Sequence, residues 1–387
     1  MTKGLLKATG KIGPFIALIF VFLLFAILGG RDFCQWGTVN DILMLSVIVG
    51  VAAVGATLII ISGGIDLSVG CTIAVITVII AQMLNLKAPS GEYIISTYPI
   101  LWPAVTVLTS ILCGGIIGII IGAAVAGYIG RVVAMILGTM SVYWSYSYGV
   151  HIIPALLIGI VVSVFLWGIN EITLKKTPLP PFIVTLGLWA SLRGTAKWLS
   201  GESAVYPDII TVNKHQVWLY SLMTDIKIGS ISFPMPGVWI LFLVALIVGL
   251  MLKYTRFGRH LYAIGSNANT ARLCGINVSR TTIIAYCIAI GCAGVAGVLR
   301  FAWLGMGDPT TDIGTELLVI AAVVIGGASL SGGVGGVGGT IIGTLIIMIV
   351  YKGCTVLGLR NYVQEVVTGA IIVAAVTLDQ LRKKKMK

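Results

Sequence analysis

Few residues in this chain are suited to chemistry, and Asp66 stands out among them. It lies in the string Ser-Gly-Gly-Ile-Asp-Leu-Ser-Val-Gly, residues 62–70, between two long apolar runs. A carboxylate so close to apolar spans is a functional-site candidate, because its charge is costly to place in lipid. The alternative is a structural role, in which Gly63 and Gly64 interrupt a helix and Asp66 or Ser68 caps the next one. The residues alone leave both interpretations open and favour the cap.

The other candidates for catalysis or metal binding are weaker. Asp308, Asp312 and Glu316 are closely spaced in a predicted loop, but no histidine cluster accompanies them, so a metal site is not predicted. The seven cysteines form no C-x-x-C motif, and the three histidines are scattered. The glycine-rich run 331–339 lacks the Gly-Lys-Ser/Thr ending of a phosphate loop and is predicted to be a tight turn between packed spans. We therefore expect no covalent chemistry, and the chain is not predicted to be an enzyme.

The composition places these residues in a membrane protein. Of 387 residues, 58% are hydrophobic and 10% are charged, whereas a soluble domain carries about a quarter charged residues. A membrane-spanning helix needs about 20 apolar residues, so this length allows roughly ten to twelve spans. The net charge of +12 does not indicate nucleic-acid binding, because Lys and Arg stand at the ends of apolar runs. We predict an all-α, polytopic transmembrane helical bundle, surrounded by membrane lipid, that forms one domain over residues 1–387.

The order of polar and apolar segments predicts the topology. Lys and Arg are concentrated in segments that the span count places inside, so both termini are predicted to be cytoplasmic. The first run is predicted to be a retained span, and 31–40 a short outside loop. The polar segment 200–236 is predicted to face outside, as a plain loop or as a landing surface for a soluble partner. The predicted spans are about 13–30, 41–62, a run ending near 86, 104–128, 132–149, 152–174, 182–199, 237–252, 282–302, 316–330, 340–354 and 362–378.

The longest basic stretch between apolar runs is 253–280, which contains no acidic residue. A positive loop in a membrane protein stays on the cytoplasmic side. Its centre predicts a short helix, because Ser266 or Asn267 can cap the N-terminus and Gly275 can close the C-terminus in a left-handed conformation. Arg272 would then lie near the negative end of the helix dipole.

One face of this predicted helix suits a protein partner. Ala268, Ala271 and Arg272 lie three and four residues apart, so they share a face of small residues beside an arginine. Such a face can dock in a groove of another protein. A solvated loop without a partner is the alternative.

The spacing in 265–280 resembles the cytoplasmic coupling loop of permease subunits from sugar-type ABC importers, the ribose, xylose and galactose group. In that family the loop is a short helix that docks in a cleft of the ATPase subunit. The resemblance implies that the coupling residues are Gly265, Ser266, Asn267, Ala268, Ala271, Arg272, Leu273, Gly275, Ile276 and Arg280.

Three more motifs match the same family in their expected order: 62–70, Pro-Pro-Phe-Ile-Val-Thr-Leu-Gly at 180–187, and the glycine-rich stretch 326–339. The chain departs from the family by having about three spans, where one is usual, between the first two motifs. The extra piece lies within 104–149 and is predicted to be an extra hairpin. We interpret it as a partial internal duplication. The resemblance implies a translocation path near Ser62, Gly63, Gly64, Asp66, Ser68, Phe182 and Thr185.

The family resemblance also implies how the chain works. We expect a permease architecture like that of the vitamin B12 importer, in a bacterial inner (plasma) membrane. A second permease copy or homologue would complete the path, an ABC ATPase subunit would bind ATP and Mg²⁺, and a soluble sugar-binding protein would deliver a pentose or hexose. The chain itself is expected to bind no cofactor, metal or nucleic acid. The alternatives are a stand-alone secondary transporter or facilitator, or the same ABC machinery carrying a nucleoside, a furanone signal or a branched-chain amino acid.

Overall fold

The computed structural model describes residues 2–89, 91–128, 157, 160–162, 180–208, 218–228 and 231–386. Most of the predicted spans near 132–149 and 152–174, and the second half of the predicted hairpin, lie outside these ranges. The total span count and the extra hairpin therefore stay predictions. The all-α, polytopic bundle is confirmed, since long apolar helices make up most of the described chain.

In the described chain, one antiparallel strand pair lies between α7 and α8. The strands are β1 (Ile226–Ile228) and β2 (Ile231–Phe233). A π-helical turn, Ala124–Tyr128, extends α5. The helices are α1 (Thr2–Cys34), α2 (Trp36–Ile61), α3 (Val69–Leu84), α4 (Ile94–Thr97), α5 (Leu101–Ala123), α6 (Pro181–Ser200), α7 (Trp218–Ser221), α8 (Pro236–Tyr254), α9 (Arg256–Ser266), α10 (Ala268–Leu273), α11 (Val278–Leu304), α12 (Thr315–Ile325), α13 (Val337–Val356) and α14 (Asn361–Met386).

Six helices of the described chain are long and apolar enough to cross a membrane. They are Gly13–Cys34 within α1, α2, Leu101–Tyr128, α8, α11 and α13, while α3 and α12 are shorter apolar helices. α6 and α14 coincide with predicted spans near 182–199 and 362–378 but fall outside this group. Their assignment as spans stays a prediction.

The predicted outside loop over 31–40 is wrong, because the chain turns there within helical structure. α1 continues to Cys34 and α2 begins at Trp36. The turn is made at Gly30, whose φ of +55° is non-helical and favours glycine. Phe33 is fully buried after this kink, with its ring 5.9 Å from that of Phe25, so aromatic packing folds the end of α1 back onto itself.

α11 is the centre of the bundle, and glycines let its neighbours approach closely. Gly114, Gly118 and Gly122 recur every fourth residue on α5 and face the α11 backbone. A Cβ atom at Gly118 would lie 2.4 Å from the carbonyl oxygen of Tyr286. Small residues of this kind allow tight helix packing in lipid, where apolar surface alone does not drive helices together. This glycine stripe fixes α11, which carries Tyr286, against α5.

Two breaks between helices of the bundle lie next to each other. α2 ends at Ile61 and α3 begins at Val69, while α12 follows the non-helical stretch 305–314. The predicted helix break at Gly63 is confirmed, and its φ is +85°. A Cβ atom at Gly70 would lie 2.4 Å from the Asp312 carbonyl oxygen, so the beginnings of α3 and α12 are adjacent.

The predicted cap of α3 takes a different form. Ser68 occupies the N-cap position but its side chain caps no backbone N–H of the helix. Its hydroxyl donates to Asp66 Oδ1 at 2.7 Å, and its backbone N–H donates to the same oxygen at 2.8 Å. Asp66 therefore holds the turn that precedes the helix, which leaves its second carboxylate oxygen free for another role.

Candidate functional site

The basic segment 253–280 folds into two helices, where the sequence predicted one. α9 precedes the predicted helix and buries Gly258, Leu261 and Ile264 against the bundle, while its arginines are exposed. The Thr255 hydroxyl accepts a hydrogen bond from the Gly258 N–H at 3.2 Å and caps α9. The apolar residues at every third position and the threonine cap are the sequence signals that could have found this helix.

α10 is the predicted short helix, and its N-terminus is capped by Asn267. The Asn267 Oδ1 atom accepts hydrogen bonds from the N–H groups of Asn269 and Thr270, both at 3.0 Å. Of the two predicted caps, Asn267 is therefore the one used, and Ser266 is the last residue of α9. Two satisfied N–H groups make a helix of only one and a half turns locally rigid.

The C-terminus of α10 closes as predicted at Gly275, whose φ is +83°. The Gly275 N–H donates to the Arg272 carbonyl at 3.0 Å, and the Ile276 N–H donates to the Ala271 carbonyl at 3.1 Å. These two bonds form a Schellman motif. The sequence predicted that Ala271 belongs to the docking face, but Ala271 is buried and does not contribute to that face. Leu273 is 89% exposed and occupies the tip of the helix together with exposed Ala268 and Arg272.

The end of α9 touches two other segments backbone to backbone, and we name this contact the glycine junction (Gly63, Gly265, Gly332 and Gly333). A Cβ atom at Gly265 would lie 1.8 Å from the Ile61 carbonyl oxygen and 2.4 Å from the Gly333 nitrogen. The Gly333 N–H itself donates to the Ile61 carbonyl at 2.8 Å. Ile61 is the last residue of α2, so α9 presses directly on the break that precedes Asp66.

Tyr262 provides a second attachment of α9 to the glycine-rich turn. Its hydroxyl donates to the Gly335 carbonyl at 2.9 Å. Burial raises the pKa of the Tyr262 phenol above its ordinary value, so the hydroxyl remains a donor at physiological pH. A movement of α9 and α10 therefore reaches both the end of α2 and the turn that precedes α13.

Beyond the glycine junction, the chain passes between side chains from two helices. A Cβ atom at Gly64 would lie 2.9 Å from the hydroxyl of Tyr286 on α11. The Ile65 carbonyl accepts a 3.3 Å hydrogen bond from the hydroxyl of Thr185 on α6. Asp66 follows, 3% exposed.

The start of α3 meets two more charged side chains. A Cβ atom at Gly70 would lie 2.4 Å from Glu316 Oε2, and the other oxygen, Oε1, accepts a 3.2 Å hydrogen bond from the indole N–H of Trp189. Arg193, one helix turn beyond Trp189 on α6, binds the carbonyl of Thr311, next to Asp312, whose own carbonyl lies against Gly70. We name Asp66, Arg193, Tyr286 and Glu316 the polar cluster.

The stretch 305–314 is fastened to the bundle by two arginines. Arg193 Nη1 donates to the carbonyls of Pro309 and Thr311, at 2.7 and 2.9 Å. Arg300 makes a two-pronged ion pair with Asp312, in which Nε lies 2.6 Å from Oδ2. These contacts fix the loop that leads into Glu316, and they give Asp312 a structural role.

Comparison with known proteins matches this chain to a membrane transport family. Residues 128–376 match the family described as the permease component of branched-chain amino acid transport systems. The chain belongs to this permease family. It is a multi-pass membrane protein and a transport subunit, with no enzymatic activity of its own.

Several characterised relatives resemble the permease over most of its length. It is 31% identical to a probable ABC transporter permease protein of Escherichia coli over 96% of this chain and 90% of the relative. It is 30% identical to the ribose import permease protein of E. coli over 95% of this chain and 94% of that protein. It is 35% identical to the D-allose transport system permease protein of E. coli over 60% of this chain and 68% of that protein. No solved structure gave a significant match.

The permease brings together some of the predicted path residues and separates others. Ser62 and Gly63 belong to the region of the glycine junction, where the Ser62 hydroxyl donates to the Ile59 carbonyl at 2.7 Å. Phe182 is 47% exposed at the N-terminus of α6. The path residues that meet around 64–71 are Gly64, Asp66, Ser68 and Thr185.

Sequence reasoning missed three members of the polar cluster of the permease. The sequence patterns assign no role to Arg193 or Tyr286, and they place Glu316 among the carboxylates of a predicted loop. An arginine and a glutamate in or beside apolar runs were signals for buried function. Tyr286 carries no signal of its own, because tyrosines are common in apolar spans.

Proposed function

We propose that the permease is the membrane subunit of an ATP-driven ABC importer for a monosaccharide, a pentose or hexose delivered by a soluble binding protein. The observation that carries the proposal is the glycine junction, through which α9 and α10 contact the break between α2 and α3. The exposed, capped helix α10 lies on one side of this junction, and the buried polar cluster lies on the other. The names of three relatives, which transport ribose, xylose and allose, support a sugar as the substrate.

The ATPase partner would dock on α10 and supply the driving force. Leu273, Arg272 and Ala268 form the exposed tip that such a partner can grip. Because both ends of α10 are closed by hydrogen bonds, the helix moves as a rigid piece and carries α9 with it. ATP and Mg²⁺ would bind to the ATPase, and its closure would favour one of two arrangements of the glycine junction.

A second permease copy or homologue would pair along α6. Its outward side presents small residues, Gly187, Ala190, Ser191 and Gly194, all exposed in the single chain. Small residues on a helix in lipid suit close packing against another helix. In this arrangement the solute path would run beside α6, near the polar cluster.

The remaining orientation follows from the positive segment. We propose that 253–280 and both termini are cytoplasmic, in the bacterial inner membrane, because positively charged loops stay inside. The opposite face then holds the segment 200–236 and the β1–β2 hairpin, where the binding protein would land.

The test is reconstitution of the permease in lipid vesicles with its ATPase subunit and binding protein. We expect uptake of D-ribose, D-xylose or D-allose that requires ATP, and no uptake by vesicles that contain the permease alone. Concentrative uptake by the permease alone, driven by an ion gradient, would favour the secondary transporter instead. ATP-dependent uptake of L-leucine but of none of the three sugars would assign the machinery to amino acids, as the family description suggests.

A further inference from the structure

The buried polar atoms that lack a hydrogen-bond partner within the described chain concentrate in one place. Five of them belong to the polar cluster: Asp66 Oδ2, Arg193 Nε and Nη2, the Tyr286 hydroxyl and Glu316 Oε2. The four residues are between 1% and 7% exposed. Buried polar groups are normally paired, and an unpaired buried charge is strongly destabilising. Partners for these atoms must therefore come from outside the part of the chain that the structure describes.

The five atoms border the same short segment, 64–71. The Tyr286 hydroxyl lies against Gly64, Asp66 is part of the segment, and Glu316 Oε2 lies against Gly70. Arg193 binds the Thr311 carbonyl, next to Asp312, whose own carbonyl lies against Gly70. The backbone is unusually open to contact here, because two glycines bring Tyr286 and Glu316 to within van der Waals distance of the main chain. Donors and acceptors therefore face one another across a few residues of irregular backbone.

The chemistry of these atoms selects the ligand. The two carboxylate oxygens accept hydrogen bonds, the two Arg193 nitrogens donate them, and the Tyr286 hydroxyl can do both. A hydroxyl group donates one hydrogen bond and accepts others, so adjacent hydroxyls satisfy carboxylate and guanidinium together. A cation would leave the Arg193 nitrogens unpaired and would be repelled by them. An anion would meet two carboxylates against one guanidinium.

We propose that Asp66, Arg193, Tyr286 and Glu316 form a solute-binding subsite that recognises neighbouring hydroxyl groups of a neutral polyol. This inference rests on the proposed function and adds to it the residues that sense the hydroxyl pattern. Trp189 positions the site, because its indole N–H holds Glu316 Oε1 and leaves Oε2 for the ligand.

α6 covers the subsite in this conformation. It contributes Arg193, Trp189 and Thr185, and each of these side chains reaches across to another segment by hydrogen bonds. The opposite side of α6 makes no close packing contact with the described residues at Gly187 and Gly194. Displacement of α6 would therefore open the subsite without unpacking α11, and a solute could then replace the contacts that α6 gives up.

The experiment measures which hydroxyls of the solute matter. It uses the reconstituted transporter and whichever of D-ribose, D-xylose and D-allose the wild type carries fastest, with the 2-deoxy and 3-deoxy forms of that sugar. For each protein we record the ratio of the parent's uptake rate to that of each deoxy sugar. The variants are Glu316→Gln and Tyr286→Phe, both nearly isosteric, and Arg193→Lys. The matched control is Glu92→Gln, at an exposed outer carboxylate.

We expect at least one parent-to-deoxy ratio to change by about threefold or more in Glu316→Gln and in Tyr286→Phe, the loss expected when one hydrogen bond to the solute is weakened. The control should keep the wild-type ratios, and discrimination by the binding protein cancels because it is common to all variants. ATP hydrolysis by the assembled complex shows that each variant is folded.

The opposite result is equally distinct. If every variant slows all the sugars by one common factor, the polar cluster binds only water or is structural, and the subsite proposal is wrong while the proposed function stands. If the wild type carries none of the three sugars, the proposed function fails and the subsite fails with it.

Discussion

The glycine junction leaves no space for a side chain at residue 265, and Gly265→Ala therefore tests whether this contact transmits motion. The new Cβ atom would lie 1.8 Å from the Ile61 carbonyl oxygen, whereas ordinary contacts begin at 3.4 Å. The two backbones must separate by roughly 1.6 Å. The Cβ atom would also lie 2.4 Å from the Gly333 nitrogen, so it wedges against both partners of the 2.8 Å hydrogen bond between the Gly333 N–H and the Ile61 carbonyl and breaks that bond.

The expected cost follows from these contacts. Overpacking costs about 1–3 kcal/mol, and a lost backbone hydrogen bond costs about 1 kcal/mol. Alanine regains about 0.5–1 kcal/mol over glycine in a helix. A net loss of about 2 kcal/mol at the junction corresponds to a factor of roughly 30 in an equilibrium between two conformations. We therefore expect sugar uptake per ATP hydrolysed to fall by at least about tenfold in Gly265→Ala.

The assay compares uptake and ATP hydrolysis in the same vesicles. Gly291→Ala is the matched control, because a Cβ atom in that position on α11 meets no atom of the described residues within 4 Å. It should keep the wild-type ratio and be slightly more stable to heat. If Gly265→Ala couples as well as the control and has the same melting temperature, the junction does not transmit the motion.

Three further changes test the neighbouring elements. Asn267→Ala removes the cap of α10 and should cost about 1 kcal/mol, seen as weaker co-purification with the ATPase subunit, with Asn267→Asp restoring it. Gly275→Val forces a branched residue to a φ of +83°, which costs about 1–3 kcal/mol. Like Arg272→Glu, it should abolish uptake while membrane insertion, measured by fractionation, is unchanged, and full uptake would contradict the coupling role. Asp312→Asn leaves Arg300 without its ion-pair partner and should cost about 3–5 kcal/mol, seen as a lower melting temperature. An unchanged melting temperature would mean that the pair adds nothing to stability.

The features that the sequence predicted correctly depend on local interactions. The apolar runs predict the spans, because each run must satisfy its own backbone groups within lipid. The cap at Asn267 and the closure at Gly275 each involve residues at most five positions apart. Gly63 and Gly64 interrupt a helix because glycine has a low helix propensity, which is also a local property. Patterns of this range are visible without a three-dimensional structure.

The polar cluster was decided by tertiary structure alone. The hydrogen bond from Thr185 reaches Ile65 across 120 positions, and that from Trp189 reaches Glu316 across 127. No periodicity in the sequence connects such distant residues. The rotation of α6 about its axis also decides that Thr185 is buried while Gly187, two residues later, is exposed. That rotation is set by the packing of α6 against α3, and the sequence of α6 alone does not specify this packing.

The glycine junction shows the same division between local and tertiary information. Its glycines are plain in the sequence, and each one alone predicts a turn. Only the structure shows that these glycines form one contact. There α9, the end of α2 and the turn before α13 meet at the hydrogen bond between the Gly333 N–H and the Ile61 carbonyl. Contact between three segments requires the whole bundle to be in place, because packing of the helices, and not backbone preference, sets the distance between them.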